Sequence, residues 1–100
     1  MITRIVRLSI RPGKETVFQS HFADVCNDIR TFPGCTHLEL MRDVDEEGVF
    51  YTLSKWTSAT HLEEYRKSPL FKNTWEKVKP LFSEAAKAFS MKEITRSQAF

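Results

Sequence analysis

An α+β fold is what this sequence predicts: a ferredoxin-like sandwich of order βαββαβ, with an antiparallel four-stranded sheet and both helices on one face. Three observations predict it. Strand-period alternation from Ile2 gives way, after Pro12-Gly13, to helical spacing from Lys14. Two further alternating segments flank the turn signal "DEEG", Asp45 to Gly48. A capped helical run broken at Ser68-Pro69 then precedes a last short alternating segment.

The elements follow in chain order. From Ile2 to Arg11, Ile2, Arg4, Val6, Leu8 and Ile10 share one face, and Thr3, Ile5, Arg7 and Ser9 share the other. Val17, Phe18, Phe22, Val25, Cys26 and Ile29 then form one apolar helical stripe, stopped by Pro33-Gly34. Thr36 to Asp43 alternates again. Val49 to Trp56 is rich in β-branched and aromatic residues and reads as its hairpin partner. Thr57 or Ser58 caps a helix running to about Lys67. Ser68-Pro69 reads as a fresh cap with proline at the first helical position. Phe71, Trp75 and Val78 follow at helical spacing, and Pro80 ends or restarts the segment. Ala88 to Ile94 is the last strand, and the polar tail 95–100 is expected to be loose.

At 100 residues the chain is expected to be one domain, with its core over residues 2–94. The net charge of +2, carried by scattered basic residues, argues against nucleic acid or an anionic membrane as partner. No apolar run approaches the ~20 residues a membrane span needs. "MITRIVRLSI" lacks the continuous apolar stretch of a signal peptide. Cys26 and Cys35 read as free thiols in a reducing cytoplasm, and no metal-ligand spacing is present. Helices on one face leave Ile5, Arg7, Ser9, Tyr51 and Leu53 on the bare one, too apolar for water. A homodimer packed through the open sheet faces is therefore expected.

Three stretches carry a family likeness: "RIVRLSIRPGKETVFQSHF", "FPGCTHLELMRDVDEEGVFYTLSKW" and "SATHLEEYRKSPLF". In these the chain resembles the antibiotic biosynthesis monooxygenase family, small dimeric α+β barrels that include quinol-monooxygenase-like members. The resemblance covers roughly residues 2–94. It implies a pocket in each protomer between the helices and the covered sheet face. It also implies oxidation of a phenolic or quinol-type compound by O₂ with no cofactor. Haem-degrading members carry Asn, Trp and a haem-ligating His where this chain reads Val6, Trp56 and Trp75, so haem degradation is disfavoured. Quinol-type members place histidines where this chain has Tyr65 and Leu70. A non-catalytic dimeric module binding a small hydrophobic ligand is the alternative.

Cofactor-free oxygenation needs an apolar pocket, a base or acceptor to form the substrate anion, and a donor for the resulting oxyanion. Val6, Phe22, Trp56, Tyr65, Phe71 and Trp75 are the expected pocket residues, with Trp56 at the rim. Core packing is the competing reading of the aromatic ones. His21, His61 and Tyr65 are the catalytic candidates. Histidine suits a neutral-pH base, and His61 stands four residues before Tyr65 on one helix face. His37 ranks behind them. Arg4, on the strand face of Val6, is a candidate holder of an anionic group. Glu63, Glu64, Arg66 and Lys67 read as a solvated helix face.

Overall fold

The computed structural model describes residues 1–95 and 97. Its elements are β1 (Ile2–Ser9), α1 (Glu15–Arg30), β2 (Cys35–Arg42), β3 (Val49–Trp56), α2 (Ala59–Lys67), α3 (Pro69–Val78) and β4 (Lys87–Lys92), with a short 3₁₀ turn at Lys79–Leu81 before β4. The sheet order is β2-β3-β1-β4, and every neighbouring pair is antiparallel. Each crossover therefore skips one strand, as the α+β ferredoxin-like fold requires.

Register fixes the two faces of the sheet. Ile2, Arg4, Val6 and Leu8 of β1 lie opposite Trp56, Ser54, Thr52 and Phe50 of β3. This is the face under the helices. Thr3, Ile5 and Arg7 lie opposite Lys55, Leu53 and Tyr51 on the open face. Phe89 and Met91 of β4 continue the open face beside Ile5 and Thr3. The predicted face assignment of β1 holds, because a pleated strand alternates whatever packs on it.

Strand ends differ from expectation by a few residues. β1 stops at Ser9 rather than Arg11, because Ile10 and Arg11 donate to the carbonyls of Gly48 and Leu81, outside the sheet ladder. β2 begins at Cys35, with an irregularity in register between Cys35 and His37. β4 ends at Lys92 rather than Ile94. The expected loose tail falls mostly on positions outside the described residues. On α1, Phe18 and Ile29 are buried and Phe22, Val25 and Cys26 half-buried, whereas Val17 is exposed and drops out of the predicted stripe. Both cysteines are free.

One serine joins α2 to α3. Ser68 Oγ donates to the Tyr65 carbonyl at 2.6 Å, closing α2. It accepts the Phe71 amide at 3.1 Å, opening α3, with Pro69 in the first turn. The proline lacks the N–H that an unbroken helix would use, and the cap satisfies one of the amides left over. Ser58 caps α2 in the same way, accepting from the His61 amide at 3.2 Å.

Two buried clusters form under the helices. One comprises Leu8, Ile10, Phe18, Phe50, Val78 and Phe82. The other comprises Cys35, Trp56 and Leu62, with Ile2, Phe32 and Tyr65 packed against it. A chain of aromatic contacts links them along the helix side. Trp56 stacks on Tyr65 at 4.9 Å and Phe71 on Trp75 at 5.7 Å, with edge contacts from Tyr65 to Phe71 and from Trp75 to Phe82 at 5.3 Å each. These distances lie in the favourable range for ring pairs.

Candidate functional site

Between sheet and helices lies a cavity of about 390 Å³. Residues of both clusters line it: Leu8, Phe18 and Val78 from one, Trp56 and Tyr65 from the other. Across the break at Ser68, Tyr65 of α2 and Phe71 of α3 meet edge to face, and both line the cavity. The size and the mostly apolar wall suit a small aromatic molecule.

All six expected pocket residues, Val6, Phe22, Trp56, Tyr65, Phe71 and Trp75, contribute to the wall. Their roles differ. Trp56 is 0 % exposed, so it forms the buried back of the wall rather than the rim. Tyr65 stacks over it, and the indole N–H is taken by Ser54 Oγ at 2.9 Å. Phe22, Tyr65, Phe71 and Trp75 are half-buried and offer surface to a ligand.

The polar groups on the wall are few. Thr52 and Ser54 come from β3, Arg4 from β1, Tyr65 and Arg66 from α2, and Thr74 from α3. Ser54 uses a lone pair on Trp56, which leaves its own O–H free to donate. Thr74 donates to the Leu70 carbonyl at 2.8 Å. Burial pushes the Tyr65 hydroxyl up to about 12, with Cys35 reinforcing the shift and Arg4 opposing it. The phenol is therefore a donor at neutral pH and not a base. Burial, followed by repulsion from Arg66, lowers the proton affinity of Arg4.

Among the described residues, no histidine stands on the cavity wall. His21 is half-buried on α1 and does not reach the cavity. His61 does not pair with Tyr65. Its Nδ1 lies 2.8 Å from Ser58 Oγ and 3.1 Å from Thr57 Oγ1, and its ring packs against Gly34. His37 sits on the open face with Nε2 at 2.6 Å from Glu39 Oε1. Arg66 is the residue that sequence reasoning assigned wholly to solvent. It pairs with Glu63 at 3.3 Å and also borders the cavity. Its place directly after Tyr65 was the only available signal. Thr52 and Ser54 were visible as members of the Trp56 strand face.

The model of one family, antibiotic biosynthesis monooxygenase, matches residues 1–77, from β1 through nearly all of α3. The chain belongs to the antibiotic biosynthesis monooxygenase family. Solved structures agree in fold. A provisionally named antibiotic biosynthesis monooxygenase of Caulobacter crescentus CB15 superposes with a TM-score of 0.88 at 24% identity, over 94% of this chain and 90% of its own. Rv0793 of Mycobacterium tuberculosis gives 0.87 at 20% identity, over 97% and 98%. PA3566 of Pseudomonas aeruginosa gives 0.83 at 18% identity, over 94% of each chain. No protein with a curated function matches the chain significantly. Beyond residue 77 the family match ends, yet the cavity continues: Val78, Ala86 and Ala88 complete its wall.

Proposed function

We propose that this chain is a homodimeric, cofactor-independent monooxygenase that uses O₂ to oxidise a small aromatic or quinol-like compound in the cytoplasm. The observation that carries the reading is the aromatic-walled cavity, with hydroxyl donors from Tyr65 and Ser54, in a chain of this family. In such a cavity the ring of the substrate supplies every electron that reduces O₂. A phenol and O₂ give a quinone and water, so the atoms balance without a further reductant. The wall holds the ring and excludes water. Tyr65 and Ser54 donate to the oxyanion that develops. The substrate proton leaves to water at the mouth, since Tyr65 holds its own proton at neutral pH.

Oxygen consumption with a panel of dihydroxyaromatics, and no added cofactor, tests the reaction. Saturable consumption that falls in Tyr65→Phe is expected. Saturable binding without turnover across the panel favours the alternative, a ligand-binding module with no general base on its wall. The dimer rests on the open face, where Phe89 is 55% and Met91 44% exposed beside Ile5 and Leu53. Light scattering should give about twice the 11.7 kDa chain mass. A monomer at micromolar concentration removes the dimer from the proposal.

A further inference from the structure

The cavity carries a charge that its apolar wall does not call for. Arg4 lies opposite Ser54 on one side and Ser90 on the other. Its guanidinium donates to Ser90 Oγ at 3.1 Å, and among the described residues it makes no ion pair. Arg66 lines the same cavity from α2. The carboxylate of Glu63 is already shared between Arg66 at 3.3 Å and Lys67 at 3.9 Å. Two guanidinium groups thus border the cavity, and the carboxylate next to Arg66 is already shared with Lys67.

A half-buried guanidinium without a counter-ion is costly, and a like-charged neighbour adds to the cost. The repulsion is felt at Arg4, whose proton affinity falls through burial first and Arg66 second. Glu63 acts in the opposite sense as the weakest of the four influences. An anion seated beside Arg4 relieves both costs. The guanidinium has five N–H donors in a planar fork, and the Ser90 bond uses one, so a flat two-oxygen acceptor fits what remains.

We propose that the cavity takes an aromatic compound bearing a carboxylate, with its ring against Phe71 and Trp75 and its charged group at Arg4, supported by Arg66. This rests on the reading of the cavity as an aromatic substrate site and names the class of substrate. A carboxylate is favoured over a phosphate because the rest of the wall is mainly apolar, and a doubly charged group costs more to desolvate there.

Calorimetric titration of the whole protein with a naphthoate and with the matching neutral naphthamide tests it. The acid should bind about tenfold or more tightly than the amide, from a charge-assisted hydrogen bond that the amide cannot make. The preference should shrink as salt is raised. Arg4→Gln should bring the two ligands to within about threefold of each other. Arg66→Gln, on an exposed side chain, should narrow the gap partly, and it carries the comparison if Arg4→Gln fails to fold. Equal binding of acid and amide by the wild type, or a preference that survives both substitutions, overturns the charge assignment while the aromatic cavity stands. Failure of both ligands to bind overturns the cavity reading and this inference together.

Discussion

Trp56→Ala separates a core residue from a wall residue. The side chain is 0 % exposed, and replacing a buried tryptophan by alanine typically costs about 3–5 kcal/mol. The surroundings of the indole put the cost toward the upper end. Truncation removes the stack on Tyr65 at 4.9 Å, the edge packing with Phe32 at 6.4 Å, and the hydrogen bond to Ser54 at 2.9 Å inside a buried pair. We expect a loss of about 4–5 kcal/mol, a large part of the roughly 5–15 kcal/mol that holds a domain together. Trp75→Ala, at a half-buried position facing the cavity, should cost about half as much. Urea unfolding of both variants, followed by circular dichroism at one fixed protein concentration, reads the difference. A Trp56→Ala loss below about 2 kcal/mol, or one no larger than that of Trp75→Ala, would refute the placement of Trp56 at the buried back of the wall.

Two further outcomes follow from the geometry. Gly34 has φ of +90°, and an added Cβ would run into Cβ and Cγ of His61, whereas Gly13 has φ of +84° and nothing within 4 Å. Gly13→Ala should cost about 1–2 kcal/mol from the backbone alone and Gly34→Ala about 2–4 kcal/mol, so equal losses in urea titrations would contradict the His61 packing. Glu84 is held below the usual carboxylate range first by Arg7, at 2.8 Å, and then by Ser9. A depressed carboxylate contributes stability above its ordinary range and loses it as pH falls through the lowered value. The stability gap between wild type and Arg7→Gln should therefore close as pH drops from neutral into the acid range, and a gap that stays constant in thermal melts would show that the pair has no such role.

Period-two and helical spacing were enough to read the strand faces, the hairpin and the Ser68-Pro69 restart, because alternation, turn chemistry and capping are local. The cavity wall was legible for the same reason, since Val6 and Trp56 follow from strand alternation, and Tyr65, Phe71 and Trp75 from helical spacing. Depth was not legible. Nothing along the chain says that Tyr65 folds over Trp56 and takes the exposed place. His61 failed for a related reason. Its four-residue spacing to Tyr65 suggested a shared face, but the Ser58 hydroxyl and the bare backbone of Gly34 draw the imidazole toward the cap. Arg66 looked like one more solvated charge because its second neighbour, the cavity, is built mostly by the sheet, α1 and α3, far from it in sequence.

Ser68 sets more than two helix ends. Its hydroxyl holds the carbonyl of Tyr65 and the amide of Phe71 at once, so one rotamer fixes the angle between the two aromatic walls. The relative placing of these two rings is thus a property of a backbone crank as well as of ring size. Re-dimensioning the cavity for a bulkier molecule would begin at this serine, by changing the crank, before any aromatic residue was trimmed.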